Sequence, residues 1–136
     1  MKHPPATELL ASVARFLRDE VLPSLNGGRA FNLRVSINAI DLVRREIEQQ
    51  AAADKREHRR LAKLLGSDDV LEVMREQLCA QIASGKITLD QPALREHLRA
   101  TAMDRLAIDQ PSYSAYLAAV ARSGAADANK KDATEG

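Results

Sequence analysis

The chain has 136 residues, of which 45% are hydrophobic, and its 20 basic and 19 acidic side chains leave a formal net charge of +1 at pH 7. A chain of this length is sufficient for one domain. The balanced charge excludes an overall electrostatic attraction to nucleic acid or to a membrane surface. Aromatic residues make up only 3%, so the core must consist mainly of Leu, Ile, Val and Ala, which favours helices over a sheet.

The sequence predicts a cytoplasmic protein. The N-terminal stretch MKHPPATELL lacks the apolar segment of a signal peptide. No apolar run approaches the ~18 residues of a membrane span. Cys79 is the single cysteine, so an internal disulfide is impossible, and its helical spacing from apolar neighbours predicts a buried, unreactive thiol.

In the first half of the chain, apolar periodicity predicts helices over residues 7–22 and 29–50, separated by a Gly-Gly turn. Pro23 ends the first of them. The segment AAAD at 51–54 is ambiguous, because alanines favour a continuing helix, whereas Asp54 followed three residues later by Glu resembles a capping box. We predict a break there and a new helix up to Leu65, placed at the edge of the fold because it has few apolar residues.

The second half predicts two further helices and a short sixth one. Gly66 follows the third predicted helix, since glycine is common after a helix C-terminus, and SGK at 84–86 ends the fourth. DQP at 109–111 ends the fifth, because proline and the residue before it disfavour helix. The fold class is therefore all-α, a single compact bundle of five to six helices over residues 1–122. Residues 123–136 have no large apolar side chain and predict a disordered tail.

No catalytic signature is present in the sequence. It lacks the phosphate-binding, dinucleotide-binding, zinc-protease and nucleophile-elbow motifs. The histidines His3, His58 and His97 do not have the spacing of metal ligands. The basic run DKREHRR at 54–60 is interrupted by acids and predicts a solvated helix face. We therefore expect no catalytic residue, no metal and no cofactor, and no enzymatic activity of the isolated chain.

The stretch FNLRVSINAIDLVRRE at 31–46 contains a narrow polar line. At about 100° per residue, Arg34, Asn38, Asp41 and Arg45 fall within an arc of about 60°, which we call the polar seam. Apolar residues flank it on both sides: Phe31, Val35, Ala39 and Leu42 on one, and Leu33, Ile37 and Ile40 on the other. This pattern predicts a central helix packed on two sides, with an Asp41–Arg45 ion pair along the seam.

Three interpretations of the polar seam are open. It is a solvated strip, a buried network that joins the helix to Arg105 or Asp109, or a partner-binding surface. Arginine is enriched at interfaces because its planar guanidinium pairs well with carboxylates. The tyrosines Tyr113 and Tyr116 lie together in AIDQPSYSAY, where they either add to such a surface or close the end of the bundle.

Four segments carry a resemblance to a known family: EVLPSL at 20–25, RAFNLRVSINAI at 29–40, RRE at 44–46 and HLRATAMDRLAIDQPSY at 97–113. They resemble small uncharacterised bacterial proteins encoded beside aminoglycoside-phosphotransferase-like kinases and acyl-CoA dehydrogenases. One branch is similar to the small accessory subunit of the hydroxyacyl-CoA kinase of levulinate and 4-hydroxy-acid catabolism. The matching positions are Pro23, Phe31, Arg34, Val35, Asn38, Arg45, Glu46, Leu106, Ile108, Pro111 and Tyr113.

The resemblance implies a non-catalytic accessory subunit of a phosphotransferase-like kinase that acts on hydroxyacyl-CoA thioesters, with ATP, Mg²⁺ and substrate bound mainly by the kinase. Asn32 and Ser36 depart from the family pattern, in which His and Ala are common. The candidate partner-binding residues are Arg34, Asn38, Asp41, Arg45, Arg105, Asp109 and Tyr113. Alternatives are a homo-oligomer, a bundle that binds a small ligand such as an acyl chain, and an enzyme in its own right.

Overall fold

The computed structural model describes residues 3–132, with the exception of the side chains of residues 129 and 132, and all regular elements in that range are helical. The five α-helices are α1 (Ala6–Phe16), α2 (Gly27–Leu65), α3 (Leu71–Ala83), α4 (Pro92–Asp109) and α5 (Ser114–Asp132). The predicted all-α class is confirmed. The chain divides into two compact units, Met1–Lys55 and Arg56–Gly136, which are described in turn.

In the first unit, the helical path beyond α1 changes its hydrogen-bonding pattern. A π-helical turn, Leu17–Val21, follows α1, and a 3₁₀ turn, Leu22–Ser24, follows that. Pro23 lacks a backbone N–H, so an α-helix is not favoured through this point. The predicted end of the first helix is therefore approximately right, but its last part is not α-helical. Gly27 opens α2 with a φ of 59°, a conformation that glycine adopts without strain.

The predicted break at residues 51–54 is wrong, because α2 is continuous over 39 residues. Alanine has the highest helix propensity, so the three alanines sustain the helix. The Asp54 carboxylate accepts a hydrogen bond from the Gln50 amide one turn earlier, at 2.9 Å. This side-chain pair lies within the helix, and Asp54 does not begin a new one.

The core of the second unit is built by three helices and the loop before α4. It contains Leu61, Met74, Leu78, Ile87 and Leu94. The predicted edge position of residues 55–65 is wrong, since Leu61 is fully buried at the centre of this cluster. A helix needs few apolar residues to occupy a core when they share one face.

Glycines end two helices of the second unit as predicted. Gly66 and Gly85 have φ values of 66° and 77°, which match the left-handed conformation found after helix C-termini. The predicted buried thiol is wrong, because Cys79 is exposed. Leu78 points into the core, and successive residues on a helix point about 100° apart.

Helix α4 ends at Asp109, two residues before Pro111, as predicted. Helix α5 corresponds to the predicted short sixth helix, because two predicted helices form the single α2. It is longer than predicted and reaches Asp132. Residues 121–128 of α5 are exposed. Residues 123–132 of the predicted tail belong to α5. Residues 133–136 lie outside the described part, and their predicted disorder stays a prediction.

Candidate interaction surface

The polar seam borders an exposed apolar face of α2. On one side of it, Ala30 and Ile37 are buried, Ile37 to 2% exposure. On the other side, Phe31 and Val35 are 63% and 52% exposed. The prediction that this helix is packed on two sides is therefore wrong. Within the first unit, the seam separates a packed face from an unpacked one, and Arg34 is itself exposed.

A second set of exposed apolar side chains lies on α1. Leu9, Val13 and Phe16 are each about half exposed, and their spacing places them on one face of the helix. Phe16 and Phe31 are the two phenylalanines of the chain, and both are more than half exposed. Contiguous exposed apolar area is uncommon on proteins without a partner and marks interaction sites.

The carboxylate of Asp41 binds Arg18, which lies in the π-helical turn. Arg18 Nη2 donates to Asp41 Oδ2 at 2.7 Å, and Arg44 Nη2 lies 3.7 Å from Asp41 Oδ1. The sequence prediction for Asp41 named Arg45 and missed Arg18. No local pattern identifies a partner 23 residues earlier in the chain. The pair holds the turn against α2 at the seam.

A groove opens between this turn and α2. Its volume is about 230 Å³, and it is lined by Arg18, Leu22, Arg34, Ile37 and Asn38. Among the residues that the structure describes, neither the Arg34 guanidinium nor the Asn38 amide has a hydrogen-bond partner. An unpaired guanidinium next to exposed Phe31 is suited to a ligand surface that combines a carboxylate with apolar groups.

The remaining predicted site residues lie in the second unit. Arg105 and Asp109 form an ion pair one turn apart on α4, with Nε–Oδ2 and Nη2–Oδ1 distances of 2.7 and 2.6 Å. Pairs with this spacing are local features of a helix surface. Tyr113 follows α4 and is half exposed, as the partner-surface interpretation requires.

The predicted solvated face at 54–60 is wrong, because part of it is internal. Glu57 is buried and accepts two hydrogen bonds from Arg75 of α3. The hydrogen bond from Arg75 holds the pKa of Glu57 below its ordinary value, against the effect of burial. The sequence signal that could have identified Glu57 as internal is its position four residues before Leu61, which places both residues on one helix face.

A second internal contact joins α2 to α4. Arg60 Nε donates to His97 Nδ1 at 3.2 Å, and Arg60 Nη2 donates to Thr101 Oγ1 at 3.1 Å. Because arginine stays protonated, Nδ1 of His97 must accept, and the neutral ring then carries its proton on Nε2. His97 is 4% exposed. Its burial, followed by the charge of Arg60, lowers its pKa despite the opposing effect of Glu57.

These features define an all-α protein with an exposed apolar helix face bordered by Arg34 and Asn38. The chain belongs to the DUF6285 family, a domain of unknown function, whose model matches residues 23–113. The match includes the polar seam and excludes α1. Neither the curated proteins nor the solved structures include a match to the chain. Among the helices of residues 3–132, none combines the length and apolar character required to cross a bilayer.

Proposed function

We propose that the chain is a non-catalytic accessory subunit of a phosphotransferase-like kinase that acts on hydroxyacyl-CoA thioesters. The observation that supports this most is the apolar face of α2, where Phe31 and Val35 are exposed beside Arg34 and Asn38. This is also the segment in which the chain resembles the accessory subunit of such a kinase.

The surface has the composition of a protein interface. Burying an exposed Phe or Val side chain contributes about 1.5–3 kcal/mol, so Phe31 and Val35 suit the centre of a contact. Arg34 and Asn38 lie at its border, and polar residues around an apolar centre are typical of interfaces. The Arg34 guanidinium has no partner within the described residues and is available to an Asp or Glu carboxylate of the kinase.

In this proposal the kinase binds ATP and Mg²⁺ and transfers the phosphoryl group. The accessory chain stabilises the folded kinase or completes its site for the thioester. Anything that binds only the folded form of a protein stabilises that form by mass action. The contribution of this chain is therefore measurable both as activity and as thermal stability of the kinase.

The proposal is tested by assaying the chain alone, the kinase alone and the mixture with ATP, Mg²⁺ and a 4-hydroxyacyl-CoA. We expect no phosphorylated product from the chain alone and a higher rate from the mixture than from the kinase alone. Product from the chain alone contradicts a non-catalytic role. Equal rates for the kinase with and without the chain, together with equal melting temperatures, contradict the accessory role.

A second candidate is self-association, which the same exposed face of α2 favours. An apolar patch that meets its own copy forms a two-fold symmetric contact. Light scattering coupled to size exclusion distinguishes the two candidates. A monomer that joins the kinase supports the accessory role, whereas a dimer that Val35→Asp dissociates supports self-association.

A further inference from the structure

The second unit contains a cavity that is separate from the apolar face of α2. It lies between α2 and α4 and has a volume of about 250 Å³. Its lining consists of Arg60, Lys63, Leu64, Ala93, Glu96 and His97. Two cations, one carboxylate and a buried imidazole therefore share a small space with two apolar side chains.

Three donors of the residues that line this cavity have no acceptor among the described residues. Arg60 uses Nε and Nη2 for His97 and Thr101, which leaves Nη1 unbonded. The Lys63 ammonium makes no hydrogen bond or ion pair within the described chain. His97 accepts at Nδ1, so its proton is on Nε2, and that N–H has no acceptor in the described residues.

We infer that this cavity is a binding site for a small organic anion. The carboxylate or phosphate group of the ligand accepts hydrogen bonds from Arg60, Lys63 and His97, and its short apolar part lies against Leu64 and Ala93. A charge-assisted hydrogen bond is roughly twice as strong as a neutral one, so two cations and an N–H donor select an oxyanion. The inference does not depend on the kinase.

The site is held in place before a ligand arrives. Two hydrogen bonds, to His97 and Thr101, orient the Arg60 guanidinium, and His97 is fixed by its burial. Binding groups that are already ordered lose little conformational entropy on complex formation. Glu96 also lines the cavity, and its negative charge opposes an anion, so Glu96 is expected to reduce affinity.

The test titrates the ¹⁵N-labelled full chain with inorganic phosphate and, separately, with butyrate through the low-millimolar range. We expect saturable shifts of the amide signals of the cavity residues with at least one probe. Saturation by phosphate alone assigns the site to phosphorylated ligands, and saturation by butyrate assigns it to carboxylates. Because Lys63 is exposed and makes no hydrogen bond or ion pair within the described chain, Lys63→Gln should leave the fold intact.

Lys63→Gln should weaken binding about threefold to fivefold, and Glu96→Gln should strengthen it. The matched control is Lys86→Gln, because Lys86 is exposed and does not line the cavity; it should leave affinity unchanged. Absence of saturable shifts with both probes overturns the inference. Equal weakening by Lys63→Gln and Lys86→Gln, or weaker binding in Glu96→Gln, overturns it as well.

Discussion

The carboxylate of Glu57 and the guanidinium of Arg75 meet through two hydrogen bonds, Nε–Oε1 at 2.9 Å and Nη2–Oε2 at 2.7 Å. The pair joins α2 to α3 beside the core of the second unit. The Glu57 side chain is 12% exposed and that of Arg75 is 39% exposed. A two-point contact of this kind fixes the relative orientation of the groups as well as their distance.

Arg75→Met should lower the free energy of unfolding by about 2 kcal/mol, because it leaves the Glu57 carboxylate buried without its main partner. Breaking a buried pair costs about 3–5 kcal/mol, and the partial exposure of Arg75 reduces this value. Urea denaturation measures the change. The matched control is Arg56→Met, since Arg56 pairs with Asp104 in a more exposed contact, and it should cost less than about 1 kcal/mol. Equal losses in the two variants contradict the internal role of Glu57.

The stability of the protein should fall as the pH is lowered through 6.5, the ordinary pKa of histidine. Burial and the charge of Arg60 lower the pKa of His97, so the unfolded chain takes up this proton at higher pH than the folded chain. Glu57 adds a second loss below its ordinary pKa of 4.5, because its pKa is also lowered in the folded state. Thermal melts between about pH 8 and pH 5 measure the first loss. His97→Gln should flatten that slope, and an unchanged slope in the variant assigns the effect to other groups.

The continuity of α2 is tested at Ala52, an exposed residue in the segment where the sequence predicted a break. Glycine inside a helix costs about 1 kcal/mol relative to alanine, so Ala52→Gly should lower the free energy of unfolding by that amount. Ala128→Gly, at an exposed position beside the last turn of α5, is the control and should have a much smaller effect, because helix ends fray. An unchanged free energy of unfolding in Ala52→Gly contradicts a continuous helix.

Several features of the fold follow from local sequence signals. Gly66 and Gly85 end helices because they adopt positive φ, and Pro111 follows the end of α4 because it disfavours the helix before it. Apolar periodicity and the scarcity of aromatic residues were sufficient to predict the all-α class. Each of these signals depends on a residue and its immediate neighbours.

The errors about packing and pairing, unlike the break predicted at 51–54, concern properties that neighbouring residues do not determine. A helical pattern identifies the face of α2 on which Phe31 lies. Whether that face is packed or exposed depends on which other elements contact it. The partners of Asp41 and Glu57, Arg18 and Arg75, lie 23 and 18 residues away in the sequence. For the candidate site, the sequence therefore identified the residues of the polar seam but not their environment.

Deleting residues 124–136 should change the melting temperature by no more than about 2 °C. The described residues 124–128 are exposed, and surface changes away from packed features are usually close to neutral. The composition of this segment provides little apolar surface to offset its ordering entropy. Differential scanning calorimetry of the truncated chain measures the change, and a drop of many degrees shows instead that the segment packs on the folded protein.

Replacing both Arg34 and Asn38 by Ala should leave the fold intact, because both side chains are exposed. Alanine is the better helix former, so α2 itself should become slightly more stable. Thermal melts of the double variant measure this. If the seam were a buried network, the same change would leave its partners unpaired and lower stability by several kcal/mol.

The affinity of the chain for the kinase partner that we propose tests the central claim most directly, and isothermal titration calorimetry measures it. We expect the wild-type chain to bind and the Arg34→Ala, Asn38→Ala double variant to bind about 1–3 kcal/mol more weakly. Arg29→Ala, an exposed substitution on the opposite side of α2, should bind like the wild type. No binding of the wild-type chain, or equal affinities for the wild type and the double variant, contradicts the account.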